Sequence, residues 1–289
     1  MQPSNNMGEE FINSPAPPSL IGVAGVVMLV LLSGVAVMSG LWKMFVISWV
    51  AFAAMAGSIP FGVRAARHAN PTRLVWGYGL ASGAMITSAA VFLLPQAIGL
   101  DPRIGGFGVA AGILVGFGSH VLGHRLAHVN AAFDNTAVQL SAHALSAGVI
   151  IGLIYGSMPE LGLLLGLAIV SHKGPAGYAA ARRLASADRS PSVILLPAAG
   201  IGLAGIPSAL VQLPTNPALN AAIFGFAAGI FLHVAMDFLP RCEVGGEVGE
   251  VARLSDKAHH QLDRLRLHAV LSTSLGGLVV FLAWLAIGV

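Results

Sequence analysis

Two histidines lie deep inside apolar runs. His143 sits in Gln139-Leu-Ser-Ala-His143-Ala-Leu-Ser-Ala-Gly148, and His172 in Ser171-His172-Lys173-Gly-Pro175-Ala-Gly177. An imidazole donates and accepts hydrogen bonds, carries a proton and ligates borderline metal ions. Ionisable groups this far inside a hydrophobic run are expensive to bury and need a partner or a task. Together they point to a cation path through an apolar medium. A second set follows at helical spacing: His233 and Asp237 stand at i and i+4, and His120, His124 and His128 share one face. Histidines at i and i+4 suit metal chelation.

The medium is set by composition. The chain has 289 residues, 56% hydrophobic and 9% charged, with a mean hydropathy of +0.80. A soluble domain carries about 25% charged residues. The sequence therefore reads as an all-α polytopic membrane protein with the lipid bilayer as its solvent. Its single cysteine, Cys242, allows no internal disulfide and no cysteine-based zinc site. A formal charge of +3 says less than where the charges fall. Glycine pairs inside apolar runs serve helix packing rather than phosphate binding. With no nucleophile–base pair and no carboxylate pair in the spans, the sequence reads as neither an enzyme nor a nucleic-acid binder.

A membrane helix needs roughly 20 apolar residues. That rule places spans at 20–41, 44–64, 74–98, 104–126, 136–157, 160–182, 192–212, 219–240 and 268–288, an unpaired first helix followed by eight. Residues 1–18 form a polar tail with Glu9 and Glu10 and no basic residue, unlike a signal peptide. The only long loop is 241–267. Within it, 251–267 has apolar residues at helical spacing and charges of both signs, which predicts a separate surface helix.

Short cytoplasmic loops are enriched in Lys and Arg. Arg64, Arg67, Arg73, Arg125, Arg182, Arg183, Arg189, Arg241, Arg253, Lys257, Arg264 and Arg266 all follow even-numbered spans, whereas Lys43 and Arg103 lie in the opposite loops. The expected topology is a multi-pass protein of the cell (inner) membrane, with the N-terminus cytosolic and the C-terminus external. An internal echo accompanies this alternation. Tyr78-Gly-Leu-Ala-Ser-Gly83 through Leu94-Pro95 resembles Phe224-Gly-Phe-Ala-Ala-Gly229 through Leu239-Pro240. The topology makes the two helices run in opposite directions, as in the inverted repeats of secondary transporters. Small-residue patterns also recur in any membrane helix rich in Gly and Ala.

Four segments carry a resemblance to a known family. His143-Ala-Leu-Ser-Ala147-Gly148 resembles the His-Asn/Ser-x-Pro/x-Glu-Gly motif of the fourth core span of the ZIP (Zrt/Irt-like) divalent metal transporters. His172-Lys173-Gly-Pro175-Ala176-Gly177 is similar to their fifth-span His-Lys-x-Pro/x-Glu-Gly/Ala motif. Phe92-Leu-Leu-Pro95-Gln96-Ala97 resembles the end of the second, and Gly229-Ile-Phe-Leu-His233-Val-Ala-Met-Asp237-Phe-Leu-Pro240 the seventh. The resemblance spans nearly all of 44–289. It implies a ZIP-like eight-helix bundle with inverted repeats as the core, and 19–43 as an extra transmembrane helix. It further implies that the fourth and fifth core helices carry Zn²⁺, or Fe²⁺ or Mn²⁺, as substrate, with no permanently bound cofactor and with a homodimer left open.

The departures are specific. In the family each motif histidine is followed four residues later by a glutamate, one turn along the same face. Here those positions are Ala147 and Ala176, and the histidine and glutamate expected near 92 and 96 are Phe92 and Gln96. The ligands on offer are His143, His172, His233 and Asp237. Lys173 stands where some members carry a second-site ligand; at that depth it is either neutral or blocks a second subsite by charge. His120, His124 and His128 read as a cytosolic relay or as a solvated helix end, and His233 and Asp237 also suit pairing with each other. His259 and His260 read as polar surface. Two functions follow: a divalent-cation carrier, or a protein of this fold that has lost metal transport and serves as scaffold, sensor or carrier of another solute. The orientation predicts that Cys242 reacts with a membrane-impermeant maleimide in inverted vesicles and not in intact cells.

Overall fold

The computed structural model describes residues 19–66, 71–129, 135–159, 163, 166, 170–211, 216–243 and 258–287. Every regular element among them is helical. The order is α1 (Leu20–Met38), α2 (Trp42–Ala66) and α3 (Pro71–Ser88), which runs through a π segment (Ala89–Leu93) into α4 (Leu94–Leu100). Then come α5 (Pro102–Val129), α6 (Asn135–Ser157), α7 (Lys173–Ser186), a 3-10 turn (Pro191–Ile194), α8 (Leu195–Ala209), α9 (Pro217–Glu243) and α10 (Ala258–Ile287). Seven of the described helices are long and apolar enough to cross a bilayer, so the chain is a multi-pass membrane protein. Of the nine expected spans, 104–126 corresponds to α5, whose described apolar part, Pro102–Gly118, is shorter than a full crossing. The tail 1–18 and most of 160–169 lie outside the described residues.

Local chemistry sets the helix ends. After α1, Gly40 adopts φ 71°. The Leu41 N–H bonds the Ala36 carbonyl and the Gly40 N–H bonds that of Val37, a Schellman closure that needs a left-handed residue. The α5 start is capped by Asp101, whose Oδ1 accepts from the N–H groups of Arg103 and Ile104 at 2.9 and 3.0 Å, with Pro102 at the first position. The α9 start repeats this with Asn216 Oδ1 and the Ala218 N–H at 2.9 Å, followed by Pro217. The π segment has a cause four residues on. Pro95 has no N–H for the Val91 carbonyl, and the ladder shifts so that the Leu94 N–H bonds the Ala89 carbonyl.

Two expected elements are corrected. The span 160–182 is not one unbroken helix, because residues 171–172 form a turn and α7 begins at Lys173. Pro175 cannot return a hydrogen bond to the Ser171 carbonyl, so a break there loses little. The separate surface helix at 251–267 is also replaced: from Ala258 onward the chain is one helix, α10. Leu265 and Ala269 pack with Leu74, Val75 and Tyr78, which ties the amphipathic turns to the span that follows. Residues 251–257 lie outside the described set.

Helices in lipid associate where small residues let backbones approach. The tightest pairs are α5 with α9, α3 with α10, α6 with α8 and α2 with α7. At α5 and α9, a methyl on Gly108 would stand 2.8 Å from the Ala222 carbonyl oxygen, and one on Gly112 2.9 Å from Gly229 Cα. At α3 and α10, a methyl on Gly83 would meet the Thr273 carbonyl. Exchanging α2 for α8, α3 for α9, α5 for α10 and α6 for α7 turns the α5–α9 contact into α10–α3 and the α6–α8 contact into α7–α2. The α3–α9 and α2–α8 contacts map onto themselves, so a two-fold exchange is built into the packing. The echoing segments meet at its centre, where Ser82 Oγ donates to the Ala235 carbonyl at 3.0 Å. α1 lies outside the scheme, packed mainly on α8.

Gly112→Ala should therefore destabilise the bundle by about 1–3 kcal/mol, as overpacking does. Gly106→Ala on the same helix, where nothing lies within 4 Å, should be neutral or slightly stabilising. Thermal unfolding in detergent micelles compares the two.

Candidate functional site

The two motif histidines reach the same point by equivalent routes. His143 lies on α6, held against α8 through Gly148, where a methyl would be 2.8 Å from the Ile201 carbonyl oxygen. His172 lies just before α7, held against α2 through Gly177, where a methyl would be 2.7 Å from the Met55 carbonyl oxygen. Each glycine follows its histidine by five residues, and each alanine, Ala147 or Ala176, by four. His172 occupies the turn before α7 with helical torsions, and its carbonyl accepts the Ala176 N–H at 3.1 Å.

The rings meet. Nε2 of His143 and Nε2 of His172 are 3.4 Å apart, with ring centroids at 5.6 Å. Phe231 of α9 packs on both, edge-on to His172 at 5.5 Å and tilted to His143 at 6.5 Å. His172 is 2% exposed, Ala147 1% and Ala176 5%, so all three positions are closed to solvent.

Two ligands of one tetrahedral ion at about 2.0–2.1 Å stand about 3.3–3.4 Å apart. The observed separation has that value, which is also that of a hydrogen bond between the two rings, so the pair is bonded ring to ring as it stands and could share one ion with modest adjustment. Two nitrogens are only half of a tetrahedral set. Among the described residues, no three His, Cys, Asp or Glu side chains converge. An ion held here would take its remaining ligands from outside this group.

Of the other sequence candidates, His233 points away from the pair. His233 stands on α9 two residues after Phe231, and helical geometry separates the two side chains by about 200°. Phe231 takes the face toward the pair, while the His233 ring lies edge-on to Phe117 of α5 at 6.4 Å and close against Gly116. His233 remains within electrostatic range of His143, as does Lys173. Asp237 is on α9 and His120, His124 and His128 are on α5, but their side chains lie outside the described set. Lys173 is 1% exposed.

Sequence reasoning missed Phe231. A phenylalanine in an apolar helix carries no mark in the sequence, and only the packing of α9 on the pair singles it out. The chain matches no family model and no curated protein. Replacing Phe231 with alanine should remove the floor under both rings and cost about 3–5 kcal/mol, with Phe231→Leu much milder. Chemical denaturation in micelles reads the difference.

Proposed function

We propose that this chain is an integral-membrane carrier for divalent transition-metal cations, with Zn²⁺ the leading substrate, along a path through His143 and His172. The observation that carries the reading is the 3.4 Å separation of the two Nε2 atoms, the spacing a tetrahedral ion sets between two of its ligands. The resemblance of both histidine segments to ZIP motifs supports it, as does the two-fold exchange in the packing. Two imidazoles make a weak site, and a carrier must release what it binds.

Radioactive zinc uptake into proteoliposomes tests the reading. The His143→Ala/His172→Ala protein should lose at least roughly tenfold in rate, the loss expected when more than 1.4 kcal/mol of binding is removed. Equal rates would remove both histidines from the path. Uptake should also fall as the medium is acidified, because a protonated imidazole does not bind metal.

A second reading rests on a different observation, the burial of Ala147 and Ala176 where carboxylates would balance a divalent charge. On that reading the fold is kept and metal transport is lost. Zinc uptake that is absent in the natural chain and appears only in Ala147→Glu/Ala176→Glu would establish it.

A further inference from the structure

Among the described residues, the charges around the histidine pair do not balance for a divalent ion. The pair contributes two nitrogen donors and no negative charge, and positions 147 and 176 are buried alanines. Beside the pair a lysine is sealed from solvent. Lys173 is 1% exposed, and its Nζ has no hydrogen-bond partner among the described residues. It follows His172 directly, opens α7 and lies within electrostatic range of His143. A doubly charged ion and a lysine placed together in a low-dielectric interior require a counter-charge.

The backbone adds to the same field. α7 is 14 residues long, has no acidic residue in its first turn, and receives no side-chain cap from His172. A helix N-terminus carries about half a positive charge and binds anions. Broken helices in transporters direct such ends at anionic groups. Gly174 and Pro175, the next two residues, border an apolar groove of about 450 Å³ that Arg73 and Trp76 also line. A second cationic side chain therefore stands on an approach to the start of α7.

Resting on the carrier reading above, we propose that the metal ion crosses together with a small monoanion, a carboxylate or a halide. Its donor atom fills one of the open positions on the ion, and its charge lies against Lys173 at the start of α7. The free anion does the work of the side-chain carboxylate that Ala147 and Ala176 do not supply. A lysine that only blocked a second subsite would act in the opposite sense, because removing it would speed the cation.

The test uses the full chain in proteoliposomes at fixed free zinc, with chloride, acetate or methanesulfonate as the anion. Zinc uptake should be roughly fivefold or more faster in chloride or acetate than in methanesulfonate, the lower end of ordinary coupling between two bound ligands. Labelled acetate or chloride should enter in a zinc-dependent manner. Lys173→Met should bring the ratio between media close to one, while Lys173→Arg, which keeps the charge and guards against a folding artefact, should preserve it. Equal uptake in all three media, or a Lys173→Met protein that transports faster with the ratio unchanged, overturns the proposal. Chloride NMR line broadening by the detergent-solubilised protein separates the two ideas. If no medium supports zinc uptake, the carrier reading fails; Lys173-dependent broadening then still supports the anion site, and its absence overturns that too.

Discussion

Close backbone approach between helices is the constraint on which everything else rests. Lipid tails offer an apolar surface as well as a leucine does, so helices hold together only where they fit each other better than lipid fits either. The glycines at α5–α9, α3–α10, α6–α8 and α2–α7 provide that fit. The histidine pair is a product of two of these contacts. α6 is fixed on α8 and α7 on α2, and the α2–α8 contact joins the halves. Shift either glycine contact by an ångström and the imidazoles no longer share a point.

The site is close to symmetric in sequence as well as in packing. His143 and His172 are followed at equal distances by Ala147 and Ala176 and by Gly148 and Gly177. The equivalence fails next to the histidines, where Ala144 on one side answers Lys173 on the other. Both side chains are buried, at 0% and 1% exposure. A lysine confined to one half gives the site a polarity that the packing alone lacks. The aromatic ring of Phe231 closes the pair on the α9 side.

Much of the architecture was legible because lipid imposes a coarse rule: a run of apolar residues of sufficient length is a helix that crosses. Seven of the spans, the histidines set in apolar runs and the echo between α3 and α9 follow from it. What composition could not register was where a ladder breaks. The interruption at residues 171–172 and the π segment before Pro95 depend on one missing N–H each, inside stretches that stay apolar throughout. The run from the last loop into α10 was misjudged for the opposite reason. Charged turns suggested a separate element, but Leu265 and Ala269 bury against α3 and carry the helix through. Within the site, the two histidines stood out as polar atoms in an apolar run, while Phe231 was invisible among its neighbours. The orientation of His233 toward α5 followed from a phase difference of two residues, which a shared motif does not reveal.

The length of α10 has a mechanical consequence. Its 30 residues extend about 45 Å at 1.5 Å each, against a hydrocarbon slab of about 30 Å. The rod must therefore tilt as a whole, or leave about a third of its length clear of the acyl chains. Its protruding turns are not a hinge: Asp263 and Arg266 pair at 3.3 Å on the outer face while Leu265 grips the first turn of α3. A push on those turns would be felt as a rotation of the whole rod against the helix it grips, and no slack joint intervenes to absorb it.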